Sequence, residues 1–253
     1  MLTGPAPPCS STVALLGHKS LPLATVLFGV FLVGEARSTD MPFVPSCAMT
    51  SIPLFPLNTV LYPDGYLPLQ IFEVRYLDMI RQCIMGEQPF GVVQLLDGAE
   101  VRKPGQLETL APVGTLARVI DWAAPLSGLL QIKCMGLQRF HILSSEQLKH
   151  GLWMAQIETL PPDKTVPIPQ EQQNVADALG ALIRTLQEQK IPPEQMPLQP
   201  PYRLDECGWV ANRWCELLSL SAMQKQLLLS QDNPVLRLEL VQDMLTENGL
   251  LEE

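Results

Sequence analysis

Six cysteines, three histidines and the adjacent acids Asp205-Glu206 are the side chains in this 253-residue sequence whose types and places could do chemistry. The cysteines stand at positions 9, 47, 83, 134, 207 and 215. A structural zinc site draws thiolates and imidazoles into a tetrahedral set, usually from CxxC pairs, and no such pair occurs. Cys207 and Cys215 are separated by about two turns of an expected helix, too far to form a disulfide within it. The thiols read as buried residues of a reducing cytoplasm. His141 falls in an expected strand and His150 near a loop, and serine, cysteine and histidine form no nucleophile–base constellation. Asp205 and Glu206 open an expected helix, where two carboxylates complement the dipole without any catalytic duty. A GxxxxGK[ST] phosphate loop is absent from the sequence. Neither catalysis, nor a metal, nor a cofactor is expected.

Recognition through apolar surface is the chemistry that remains. On the helix expected from about Asp205 to Leu218, the stripe Cys207, Ala211, Trp214, Cys215 and Leu218 forms a buried face. Trp209 falls on the far side with Asn212 and Glu216. An aromatic side chain there either packs against another element or stands out as a binding anchor. Trp122 and Trp153, at strand ends, and Phe90 are further candidates for binding a peptide. For these three, core filling is the first reading.

The elements that position these residues begin with the stretch 51–85. Its opening apolar residues are spaced by prolines, which suits an edge or first strand better than a central one. Pro63-Asp64-Gly65 is an expected tight turn, with positive φ assigned to the glycine. Leu67, Leu69 and Ile71 alternate as in a half-buried strand. From Glu73 the period becomes helical: Leu77, Ile80 and Ile84 share a face, Arg75, Asp78 and Gln82 lie opposite, and Gly86 stops the helix. Strands are expected at 90–96, 113–122, 130–134, 137–143 and 153–160, with Gly136 breaking the third from the fourth. A polar loop holding Arg102, Lys103, Pro104 and Gly105 separates the first two. Such spacing describes a compact, largely antiparallel sheet or small barrel.

A proline-rich connector, 161–169, marks the expected boundary between a β-rich part, 51–163, and a helical part, 170–250. The first helix there carries Val175, Leu179, Leu182, Ile183 and Leu186 and is closed by Lys190 and the prolines at 192 and 193. After the helix around Trp209, Ser221 and Gln224 form a capping box for a third. Asn233-Pro234 caps a fourth, with Gly249 as its stop. The apolar residues of that last helix (Leu236, Leu240 and Met244; Leu238, Val241 and Leu245) surround much of its circumference, which implies burial between neighbours.

Residues 1–50 read as a disordered or non-native leader. The uncharged run 21–34 is too short to span a bilayer as a helix, although its outline leaves export or anchoring open. The formal charge of −9 gives the surface a field of the wrong sign for phosphate backbones or anionic lipid.

The run IPLFPLNTVLYPDGYLPLQIFEVRYLDMI resembles the opening of the N-terminal, substrate-binding domain of Lon proteases. The proline-spaced strand, the Pro-x-Gly turn and the Ile-Phe-Glu-x-Arg-Tyr segment carry the resemblance at fixed offsets. It implies an α+β chain, a PUA-like, mainly antiparallel β-rich part with one helix, followed by a helical bundle. It also implies non-catalytic binding of unfolded or partner polypeptides, as an adaptor or in quality control, alongside a separate protease or chaperone. The family's ATPase and peptidase residues have no positions here to be carried onto. PUA-like barrels also bind RNA or small ligands, and that is the alternative.

Overall fold

The computed structural model describes residues 50–100, 108–189, 191–192 and 196–251. The expected leader with its 21–34 run, Cys9, Cys47, the loop residues Arg102 to Gly105, Lys190 and Pro193 lie outside the described residues.

Six strands are described: β1 (Thr50–Leu57), β2 (Tyr66–Ile71), β3 (Phe90–Asp97), β4 (Thr109–Leu126), β5 (Leu129–Gln147) and β6 (Trp153–Thr159). Their order is β2-β5-β4-β3-β1-β6, and β6 also pairs with β5. Five strands therefore close into a ring, and β2 hangs as a flap on β5. Only β1–β3 is parallel; the other pairs are antiparallel. The fold is α+β with a mainly antiparallel sheet, as expected.

Three strand expectations are corrected. β1 is the first described strand but not an edge, because it joins β6 through residues 50–54 and β3 through 54–57. Each half of β1 is thus paired on one side only. That arrangement accommodates Pro53 and Pro56, whose nitrogens cannot donate to a ladder. The edge is β2, which pairs with β5 alone and carries Pro68. Second, β5 runs unbroken through Gly136: its first half pairs with β2 and its second half with β6. A strand that changes partner midway bends instead of stopping, and register shifts against β4 mark the bend. Third, Asp64, not Gly65, holds the positive φ (61°) of the first turn.

The helix α1 (Val74–Gly86) packs Tyr76, Leu77, Met79, Ile80 and Cys83 against Phe55, Phe90, Ile132 and Cys134. Arg75, expected on the solvent face, is buried. Its Nη1 donates to the Gly151 carbonyl at 2.6 Å and its Nε to Glu73 at 3.0 Å. Satisfied donors let a guanidinium stay inside. Gly86 is the last helical residue, and Glu87 makes the left-handed turn (φ 50°).

A turn of 3₁₀ helix at Gln170–Gln172 leads into α2 (Gln173–Glu188), followed by α3 (Cys207–Leu217), α4 (Ala222–Leu229) and α5 (Pro234–Glu247). The Ser221–Gln224 capping box forms, with the Ser221 Oγ accepting from the Gln224 amide at 3.3 Å. Asn233 caps α5 through the Val235 amide at 3.0 Å. The expected burial of α5 over much of its circumference is corrected to one face: Leu238, Val241 and Leu245 are fully buried, whereas Leu236 and Leu240 are exposed. Helix α5 covers α3 from one side only.

Candidate functional site

The site is built where the helices meet the β half. Tyr62-Pro63-Asp64-Gly65 turns against the side of α3. The Arg213 guanidinium of α3 donates to the Asp64 carbonyl at 2.5 Å and to the Pro63 carbonyl at 2.7 Å, and it pairs with Glu216 at 3.0 Å. Gly65 is required by this approach: a Cβ there would stand 1.9 Å from the Glu216 Oε1. Gly136 is required on the other side, where a Cβ would lie 2.1 Å from the Tyr62 carbonyl oxygen. The Gly136 amide donates to the Gly65 carbonyl at 2.8 Å, and the Asp64 amide donates to the Gly136 carbonyl at 2.9 Å. Gly136 lets the β5 and turn backbones come close enough to bond, and Gly65 leaves room for the Glu216 carboxylate of α3.

The connector after β6 supplies the second fastening. Its Asp163 accepts from Arg139 on β5 at 3.0 Å and from both terminal nitrogens of Arg237 on α5, at 2.5 and 3.2 Å. Arg139 also reaches Asp232 at 3.0 Å and the Leu229 carbonyl at 2.8 Å. Arg237 is 1% exposed and donates further to the Asn212 Oδ1 at 2.9 Å. Two buried guanidiniums thus converge on one carboxylate, which binds β5, the connector and α5 together. The Val166 carbonyl accepts from the Cys207 amide at 3.0 Å, tying the connector to the first turn of α3.

Between the turn, the connector and the start of α3 lies a cavity of about 380 Å³. Its wall combines Pro63, Pro161, Pro162 and Trp209 with Asp163, Arg203 and Asn212. Arg203 pairs with Asp64 and with Glu206 across the mouth. The size is that of a small-ligand or side-chain pocket.

Burial governs the titrating groups beside the cavity. Burial raises the Glu216 carboxyl to about 7, although Arg213 and Lys225 oppose the shift. Burial also pushes the Cys215 thiol up to about 12 and the Tyr62 phenol above its ordinary value. The Tyr62 hydroxyl donates to the Lys225 carbonyl at 2.6 Å. The four described cysteines are free and buried, so their surroundings suit packing better than thiolate chemistry.

The structure separates the four expected contact residues. Phe90 is 0% exposed in the core beneath α1 and is corrected: it cannot touch a peptide. Trp209 is corrected as an exposed anchor. It is 5% exposed, its ring is edge-on to Tyr202 and near Arg213, and only part of it reaches the cavity. Asn212 is buried with it, because the connector and the β half cover the side of α3 left free by the other helices. Trp153 is half-buried, and its Nε1 donates to Glu108 at 2.5 Å. Trp122 is 54% exposed on the outer part of the β4–β5 hairpin, beside exposed Ile120 and Leu126. These residues do not form one site.

Sequence reading missed Asp163, Arg139, Arg213 and Arg237. Arg237 left a signal, four residues before Val241 on the apolar side of its helix, where a lone charge needs a buried partner. For Asp163, inside a proline-rich connector, no local pattern announces two arginines from distant elements.

Residues 51–247 match the family described as the ATP-dependent protease La (LON) substrate-binding domain. A solved structure, a Lon N-terminal domain protein from Xanthomonas campestris, superposes with a TM-score of 0.62 at 31% identity, covering 77% of this chain and 98% of that one. A Lon protease of Anaeromyxobacter dehalogenans is 34% identical over 97 residues, 38% of this chain and 11% of that protein. Protein cereblon of Xenopus tropicalis is 27% identical over 154 residues, 59% of this chain and 32% of that protein. The chain therefore matches no more than about a third of either curated relative's length. By the reach of the family match and the architecture that accompanies it, the chain belongs to the Lon substrate-binding domain family.

Proposed function

We propose that this protein binds segments of unfolded or partner polypeptide without cleaving them, as an adaptor or in protein quality control in the cytoplasm, alongside a separate protease or chaperone. Family membership supports substrate binding. The observation that carries the reading to this chain's surface is the outer β4–β5 hairpin, where Ile120, Trp122 and Leu126 are 43, 54 and 68% exposed. Large apolar side chains gathered on one exposed hairpin are the kind of surface on which partner chains lose water. The charge of −9 opposes RNA as the partner.

Isothermal titration of the folded protein with unfolded model peptides tests this. Binding in the micromolar range, weakened by Trp122→Ala, is the expected result. Absence of binding up to high micromolar peptide, with the protein folded by circular dichroism, overturns it.

A further inference from the structure

We propose that the cavity beside Asp163 receives a peptide carboxylate together with the apolar side chain next to it, held by Asn212 and Lys164. The inference rests on the polypeptide-binding reading and names a second contact point, distinct from the β4–β5 hairpin.

Three observations converge. The first is an unused donor. Asn212 is 4% exposed and lines the cavity. Its Oδ1 is taken by Arg237, which fixes the orientation of the amide and leaves the Nδ2 as the donor available to an occupant. The second is the charge pattern of the wall. Each lining carboxylate is already paired with arginine: Asp163 with Arg139 and Arg237, Asp64 and Glu206 with Arg203. Lys164, exposed on the rim, pairs with none of them. The unspent charge on the wall is therefore positive, which an anion meets and a cation does not.

The third is the strand ladder. Along one edge of β5, β2 pairs as far as Met135 and β6 begins at Phe140. Residues 136–139 between them line the cavity, and Gly136 is bonded to the turn at Asp64 and Gly65 while Arg139 is bonded to Leu160, so the opening lies between those two fastenings. Pro63, Pro161 and Pro162 give that space rigid apolar walls.

The carboxylate has two sources, an acidic side chain and a chain terminus. The probe is a fluorescein-labelled peptide, Ser-Leu-Asp-Leu-Pro-Ser, with a blocked C-terminus, read by anisotropy against the full chain. A second peptide has Asn in place of Asp. A third has that Asn and a free C-terminal carboxylate. The Asp peptide is expected to bind about tenfold more tightly than the blocked Asn peptide, the scale of one charge-assisted hydrogen bond. Recovery of binding by the third peptide assigns the terminus as a source; no recovery assigns the side chain alone.

Asn212→Asp, which keeps an acceptor for Arg237 and removes the donor, and Lys164→Gln are each expected to weaken the Asp peptide about tenfold, the exposed Lys164→Gln with unchanged melting. Lys164→Gln, on the rim, carries the test if Asn212→Asp fails to fold. Equal affinity for the Asp and blocked Asn peptides overturns the proposal. So does wild-type affinity in the variants; if Trp122→Ala then still weakens binding, the hairpin is the contact and the polypeptide reading stands. If the folded protein binds none of these peptides but does bind other unfolded peptides, this proposal alone falls; if it binds neither, both do.

Discussion

Asp163 grips Arg237 with both carboxylate oxygens, at 2.5 and 3.2 Å, and the guanidinium it holds is 1% exposed. The pair joins the proline-rich connector to α5, and Arg139 extends it to the bend of β5. A buried pair is worth little against an apolar replacement of both partners, but removing one partner strands the other charge.

Asp163→Asn is therefore expected to destabilise the fold by about 3 kcal/mol, because two buried arginines lose their shared counter-charge. Urea unfolding followed by circular dichroism reads the loss. A change in midpoint within error of wild type would show that water or Asp232 replaces the lost carboxylate.

Gly136→Ala is expected to be more harmful than Gly65→Ala. The new methyl at position 136 meets the Tyr62 backbone carbonyl at 2.1 Å, which cannot swing away. At position 65 it meets the end of the Glu216 side chain, which gives way by breaking its contact with Arg213. Overpacking costs of about 1–3 kcal/mol set the scale, with Gly136→Ala at or above its upper end. Thermal melts of the two variants side by side check the order.

The contribution of Glu216 to stability should fall as pH rises from about 4.5 toward 7. The folded protein holds the Glu216 proton up to about 7, chiefly through burial, whereas the unfolded chain releases it near the ordinary carboxyl value of about 4.5. The raised folded value means that protonation favours the native state, so its contribution is complete below the unfolded value and is lost through that window. A fifth of the Glu216 side chain still meets solvent, which softens the effect. Glu216→Gln should gain stability relative to wild type between pH 5 and pH 8, measured by urea midpoints. A constant difference across that range would refute the assignment.

Cys134 and Cys215, both pushed up to about 12 by burial, should resist iodoacetamide at pH 8 in the native protein. They should label fully in urea, since the thiolate is the reacting species. Peptide mass analysis after brief exposure distinguishes them from any accessible thiol.

Phe90→Ala and Trp122→Ala should separate packing from surface. Loss of the fully buried Phe90 ring is expected to cost about 3–5 kcal/mol. Trp122, more than half exposed, should change stability by about 0.5 kcal/mol or less while weakening peptide binding. Melting and titration on the same two samples check both.

Much of the architecture was legible locally. Leu67, Leu69 and Ile71 alternate because a strand turns its side chains over every residue, and Leu77 and Ile80 share a face because a helix returns every 3.6. Ser221 with Gln224, and Asn233 before Pro234, mark helix starts because the hydrogen bonds that satisfy orphan amides reach only two or three residues. What such rules cannot see is a neighbour. Helical periodicity put Asn212 and Trp209 on an outer face of α3, and only the arrival of the connector and the β half made that face an inner one.

The sequence by itself determined the elements, the α+β class and, through the run beginning at Ile52, the likeness to a family, because these rest on short-range periodicity and on residue types at close offsets. The tertiary structure decided the rest. It made β1 a doubly paired strand, carried β5 through Gly136 from one partner to another, and brought Asp163, Arg139 and Arg237 together from three elements. It also buried three of the four aromatic candidates wholly or in part and left Trp122 outside. The physical reason is that burial and ion pairing are set by contacts between residues 24 to 150 positions apart, a range at which a chain's local pattern carries no geometry.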